Sequence, residues 1–297
     1  MDWDIIQFLA PAIAASLIIA GIHAYLGLHV VERGIIFVDL SLAQIAALGA
    51  TIALLTPLSG GDPHAPSVYW VSLAFTFIGA GIFSMIRVKR ARIPQEAIIG
   101  ICYAVASAAA ILAMSKATSE SEHLKDMLVG NILAVTWHEV IKTAVLYGII
   151  GVFHYVFRKQ FLAISRSHGD PESTGLNYRL WDFLFYASFG FVVTSSVSIA
   201  GVLLVFCYLI VPSVAAMLYS DSIGKRLAIG WTMGTVVSAL GVYLSLVLDL
   251  PTGATIVCTF GLVLVLMAAV RPLIAPHRLA SAVPDAGTPA MRRRPQE

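Results

Sequence analysis

Residues 31 to 49 read VERGIIFVDLSLAQIAALG, a charged pair followed by an apolar run in which Asp39 and Gln44 are the only ionisable or amide side chains. Runs of this kind recur from one end of the chain to the other. A helix rising 1.5 Å per residue needs about twenty apolar residues to cross ~30 Å of hydrocarbon. On that criterion spans are expected at 5–29, 35–57, 67–87, 94–114, 138–158, 180–197, 199–219, 226–248 and 252–272. Nine spans become eight if 180–219 is a single kinked element, because Thr194, Ser195, Ser196 and Ser198 suit either a tight turn or an irregular helix.

Composition agrees with that reading. A chain of 297 residues that is 58% hydrophobic and 12% charged has too few polar groups to cover a soluble surface. The expected fold class is all-α, a polytopic transmembrane bundle of eight or nine helices. Residues 1–275 form one transmembrane domain, and 276–297, rich in Ala, Pro and Arg, form a disordered cytoplasmic tail. The first apolar run continues past a signal-peptide core and reads as a retained helix. A net charge of +2, with basic residues dispersed among the connections, gives no footprint for nucleic acid. Cys102, Cys207 and Cys258 lie far apart in apolar segments and read as packing residues.

Lys and Arg collect in alternate connections: Arg87 to Arg92, Arg158 to Arg166, Lys225 with Arg226, and Arg271 onward. By the positive-inside rule these are the cytoplasmic connections. Nine spans then place the N-terminus outside and the C-terminus inside.

A buried acid in lipid costs a few kcal/mol on insertion scales, and it turns toward a partner or a pathway. Asp39 is the one acid expected deep within a span, and a path-lining role and a bond to a neighbouring helix are both open to it. Gln44, five residues on, sits about 140° around the helix from it, so the pair flanks a cavity only if the cavity is wide or the helix bent. Glu32 beside Arg33 reads as an interfacial ion pair. His23 and His29 are six apart, a spacing that matches no ligand pair on a helix, which leaves His23 a weak metal candidate. His64, His123, His138 and His168 read as solvated rings in or beside loops.

The chain contains no GxxxxGK[ST], HExxH, CxxC or GxSxG pattern, and no catalytic residue is assigned. ATP-driven work would therefore belong to another polypeptide. The longest basic connection, RKQFLAISRSHGDPESTGLNYRLWD (158 to 182), suits such a partner, with a short helix expected to begin at Asp170 and to hold Pro171 in its first turn.

Five segments in register now carry a resemblance: VERGIIFVDLSLAQIAALG, PQEAIIGICYAVASAAAIL (94 to 112), MLVGNILAVTW (127 to 137), GVLLVFCYLIVPSVAAML (201 to 218) and DLPTGATIVCTFGLVL (249 to 264). From about residue 10 to 272 the chain resembles the permease subunit of the metal-ion ABC importers, the ABC-3 type. The resemblance implies a multi-pass protein of a bacterial inner membrane, paired with a second copy of itself over two cytoplasmic ATPase subunits. It also implies an extracytoplasmic metal-binding protein as donor, a divalent ion (zinc, manganese or iron) as transported substrate, and no permanently bound cofactor. Asp170, Glu172 and Gly175 match the family's acidic and glycine positions in the coupling loop, while Ser173 and Thr174 stand where a small Ala is usual.

One departure matters. Zinc and manganese members carry an Asp four residues before a His in the second span, whereas here Leu40 and Gln44 hold those positions and Asp39 comes one residue early. An amide is a poor zinc ligand, so ferrous or chelated iron joins the candidate cargoes. The reading from another class is a secondary transporter or channel that uses Asp39 as a cation-coupled site.

Overall fold

The computed structural model describes residues 3–57, 59, 60, 62, 65–86, 94–115, 132–167 and 174–274. Among these the regular elements are all helical. They are α1 (Trp3–Arg33), α2 (Val38–Leu55), α3 (Pro66–Ile86), α4 (Gln95–Met114), a 3-10 turn (Ile132–Ala134), α5 (Trp137–Val156), α6 (Arg158–Ser165), α7 (Tyr178–Ala200), α8 (Val202–Tyr219), α9 (Ile223–Leu248) and α10 (Thr252–Ile274). Nine of them, all but the 3-10 turn and α6, are long and apolar enough to cross a membrane.

The helix ends follow local chemistry. Thr136 opens α5 with a capping box, its hydroxyl accepting from the Glu139 N–H while the Glu139 carboxylate accepts from the Thr136 N–H at 2.8 Å. Asp249 closes α9 in the left-handed region at φ 53. The hydroxyl stretch at 194–198 is continuous helix rather than a turn. Ser195 and Ser196 each donate to the carbonyl four residues back, Phe191 and Val192, at 2.8 Å, so their polar groups are satisfied within α7. The break comes three residues later at Gly201, whose φ of 76 and ψ of 160 suit glycine, and it separates two spans.

The helices form two sub-bundles. In one, α2 packs on α3 and α4, and α3 packs on α7; in the other, α1, α8, α9 and α10 pack together. Small residues set the approach of the backbones, as lipid-embedded packing requires. A Cβ on Gly27 of α1 would stand 2.0 Å from the Leu209 carbonyl oxygen of α8. A Cβ on Gly49 of α2 would stand 2.9 Å from Ser72 of α3, and Ser72 donates its hydroxyl to Ala46 O at 2.8 Å beside it. The most enclosed span is α2, while α4 and α10 bury only 17% of their apolar windows and present most of their surface outward.

The connection 158–182 holds a described helix that the sequence reading did not anticipate, while the start expected at Asp170 lies outside the described residues. Its described helix is α6, Arg158–Ser165, which begins twelve residues before the Asp170 start expected from sequence. Phe157 alone separates it from α5, and its apolar face, with Phe161 and Ile164 fully buried, packs on α1, α5 and α7. Asp170, Glu172, Pro171 and Ser173 lie outside the described residues, as do Arg87 to Arg92, His64, His123, His168 and the tail from 275.

Candidate functional site

Asp39 stands in the first turn of α2, five residues after the Gly34 break, rather than deep in a span. Its side chain is buried, and its Oδ1 has no hydrogen-bond partner among the described residues. A native structure seldom leaves a buried carboxylate oxygen unpartnered, because the group keeps its full desolvation cost. An oxygen in that position is chemically able to accept from a proton donor or to meet a cation.

Gln44 is also buried, although it faces about 140° away from Asp39. Both can be enclosed because α2 is packed on most of its circumference, with buried residues at thirteen of its eighteen positions. One buried face does not bring the two polar groups to one point.

His23 lies on α1 and is fully buried. Its Nδ1 is 2.8 Å from the Ile19 carbonyl oxygen, which can only accept, so Nδ1 carries the hydrogen and Nε2 the lone pair. Nε2 has Ser196 Oγ at 3.4 Å, and that hydroxyl has nearer acceptors at Val192 and Val193. A ring oriented through one nitrogen by a carbonyl, with the other nearly free, is the arrangement a metal-ligating histidine uses. Tyr147 of α5 borders the same region, its ring 6.5 Å from that of His23 and its hydroxyl bonded to Ser195 and the Val192 carbonyl.

The described residues contain no group of three or more His, Cys, Asp or Glu placed to hold one ion together. Asp39, Gln44 and His23 are therefore not members of one closed cage among the described residues. Weak, spaced donors suit an ion in passage; a closed four-ligand set suits a resident structural ion.

A second polar cluster lies where the basic ends of α1, α7 and α9 meet α6. Arg33 Nη1 donates to Asp182 Oδ1 of α7 at 2.7 Å, with both side chains almost wholly buried, and the guanidinium stands 3.9 Å over the Phe185 ring. Glu32 pairs instead with Arg226 of α9, so the two neighbours do not form a pair with each other; consecutive helix positions diverge by about 100° and reach different helices. His29 Nδ1 and Arg33 Nε both bond Ser165 Oγ of α6, at 2.8 and 2.9 Å. His154 of α5 stacks on Phe161 of α6 at 4.3 Å and bonds Ser188 of α7 at 2.8 Å.

Sequence reading passed over Tyr147, His154, Asp182 and Ser165. Asp182 carried a signal: it is an acid at the head of an apolar span, level with Arg33 at the foot of another. Gly175, the described member of the expected coupling set, takes φ +67 just before α7.

The family model described as the ABC 3 transport family matches residues 5–271. The chain belongs to that family. Among relatives, it is 27% identical over 251 residues to a protein of Haemophilus influenzae described as a probable iron transport system membrane protein, covering 84% of this chain and 89% of the relative. It is 25% identical over 257 residues to the manganese transport system membrane protein MntC of Listeria innocua, covering 84% and 86%. Among solved structures, a chain of PsaBC from Streptococcus pneumoniae in complex with Fab shares the fold, with a TM-score of 0.72, 22% identity, and coverage of 89% of this chain and 93% of that one. This ABC 3 member is a multi-pass membrane transport component, and the nine candidate spans and all-helical architecture of its described residues fall within the eight or nine helices expected from its sequence.

Proposed function

We propose that this chain is the membrane-embedded permease subunit of an ATP-driven importer of a divalent transition-metal ion, manganese or iron foremost, with zinc as a further candidate. The observation that carries the reading is α6. A short amphipathic helix on the basic side, docked on α1, α5 and α7, belongs to a chain with no phosphate-binding loop of its own. Such an element suits a protein moved by a motor subunit. The membership of the chain in the ABC 3 family and its relatives' manganese and iron descriptions support the same reading.

In this account the basic ends of α1, α7 and α9 face the cytoplasm of a bacterial cell, where two ATPase subunits bind α6 and the segment through Asp170, Glu172 and Gly175. A second copy of the chain completes the path, and an extracytoplasmic binding protein delivers the ion to the opposite side. Asp39 and the Nε2 of His23 are the donors the ion meets in passage, with Gln44 a neutral oxygen beside them. Borderline ions such as manganese and ferrous iron accept a mixed carboxylate, amide and imidazole set, whereas the amide weakens the case for zinc.

The test is co-purification. The chain, expressed with its ATPase subunit, should retain that subunit through affinity purification. Scrambling residues 168–178 should release it without loss of the membrane-inserted chain. Retention after scrambling would remove the coupling role from this loop, and a chain that transports alone under a proton gradient would be the secondary transporter instead.

A further inference from the structure

The helix α6 does not lie on one sub-bundle. It packs on α1, which belongs with α8, α9 and α10, and equally on α7, which belongs with α2, α3 and α4, so it straddles the seam between them. Directly beneath its last turn the seam is crossed by the buried Arg33 and Asp182 ion pair, one partner from each side. Arg33 is held from a third direction, because its Nε–H donates to Ser165 Oγ of α6 at 2.9 Å. That hydroxyl can in turn donate to His29 Nδ1 at 2.8 Å, one helical turn up α1. Phe185 of α7 closes the other face of the guanidinium.

We infer that Ser165, Arg33 and Asp182 form a clasp across this seam and that displacement of α6 sets whether the clasp is closed. The inference rests on the reading of the chain as a motor-driven permease. These are positioning residues, since none is assigned contact with the transported ion.

The physical argument is one of geometry and stakes. A guanidinium offers five donors in a fixed fork, so moving Ser165 changes which of them are satisfied and tilts the plane that must meet the carboxylate. In a buried site an imperfectly paired charge is costly, so the clasp has a closed arrangement and an arrangement in which water reaches both charges, with little between. Bistable contacts of this kind convert a small shift of one element into a rigid movement of others. The shift has somewhere to go: α1 runs from the clasp back to His23, ten residues and about 15 Å up the same helix. A movement applied at Ser165 therefore acts on the helix that carries a path donor. Glu32 and Arg226 tie the same end of α1 to α9 within its own sub-bundle, so α1 moves with its group while the clasp links that group to α7.

The experiment uses the full complex of this chain, its ATPase and its binding protein in proteoliposomes, offered manganese, ferrous iron and zinc. ATP hydrolysed, metal accumulated and thermal unfolding of the permease are all measured. The variants are Ser165→Ala, Arg33→Lys and Asp182→Asn. The expected result for Ser165→Ala and Arg33→Lys is metal transported per ATP reduced about fivefold or more, with hydrolysis retained and unfolding close to the wild type. A purely structural role would lower yield, hydrolysis and uptake together and leave the ratio unchanged, and that result, or an unaltered ratio in a well-folded Ser165→Ala, overturns the clasp. Absence of ATP-driven uptake in the wild-type complex would instead overturn the importer reading itself, before any variant is compared.

Discussion

Replacing Gly27 by Ala tests the packing that holds α1 against α8. The added Cβ would stand 2.0 Å from Leu209 O, 2.3 Å from Ser213 Oγ and 2.9 Å from the Leu209 carbonyl carbon. Comfortable contact for a carbon atom is about 3.5 Å, so the backbone of α8 must retreat by roughly 1 Å or more. A backbone carbonyl inside a helix cannot swing aside as a flexible side chain could. Overpacking of this kind costs about 1–3 kcal/mol. The retreat also breaks the Ser213 hydroxyl bond to Ala24 O at 3.3 Å, worth roughly 0.6 kcal/mol within a membrane bundle. Against this, Ala gains up to about 1 kcal/mol of helix propensity over Gly. The net expectation is a loss of about 2 kcal/mol, or roughly 4–8 °C in Tm. The assay is thermal unfolding of the purified chain in detergent, with Gly21→Ala as control. Gly21 lies on the same helix with nothing within 4 Å of its would-be Cβ, so that variant should hold or raise the Tm. Equal melting of the two variants would refute the argument that Gly27 is fixed by contact with α8.

Asp39→Asn keeps the volume of the side chain and removes its charge. Because Oδ1 has no partner to lose among the described residues, the variant should melt no lower than wild type while metal accumulation falls about tenfold or more; a lower Tm with normal uptake would make Asp39 a structural residue. His23→Ala should likewise lower uptake of manganese or ferrous iron, and a change confined to stability would remove His23 from the path. Thr136→Ala removes one half of the capping box of α5 and should cost about 1 kcal/mol in unfolding measurements with uptake unaffected. Asp249→Gly should be neutral or stabilising by up to about 1 kcal/mol, since the residue sits at φ 53, whereas Asp249→Val should lower the Tm.

The spans were legible because hydrocarbon thickness imposes a length and forbids charge, and both constraints are written locally in the chain. The separation of α7 from α8 was expected as well, with the break placed at the hydroxyls of 194–198 rather than at Gly201. Their effect is cancelled by bonds to their own helix, which no composition argument anticipates. The helix expected at the Asp170 and Pro171 capping signal lies outside the described residues, and the described helix α6 upstream of it carried no cap signal in the sequence. There Phe161 and Ile164 are buried between other helices, and that tertiary burial holds α6 without a side-chain cap. The partners of Glu32 and Arg33 were illegible for a related reason. Which helix a charge reaches depends on long-range packing, and two neighbours in sequence found partners 194 and 149 residues away. His23 looked weak because ligand spacing within one helix is the pattern sequence can show, whereas its orientation comes from the Ile19 carbonyl and its surroundings from α5 and α7.

The central claim is that this chain carries a divalent transition metal inward at the expense of ATP hydrolysed by another subunit. The most direct measurement is uptake into proteoliposomes containing this chain, its ATPase and its binding protein, offered manganese, ferrous iron and zinc in competition with and without ATP. The account predicts accumulation that requires ATP and favours manganese or ferrous iron. Accumulation that proceeds without ATP and follows an imposed proton gradient, or no accumulation of any of the three ions, would contradict it.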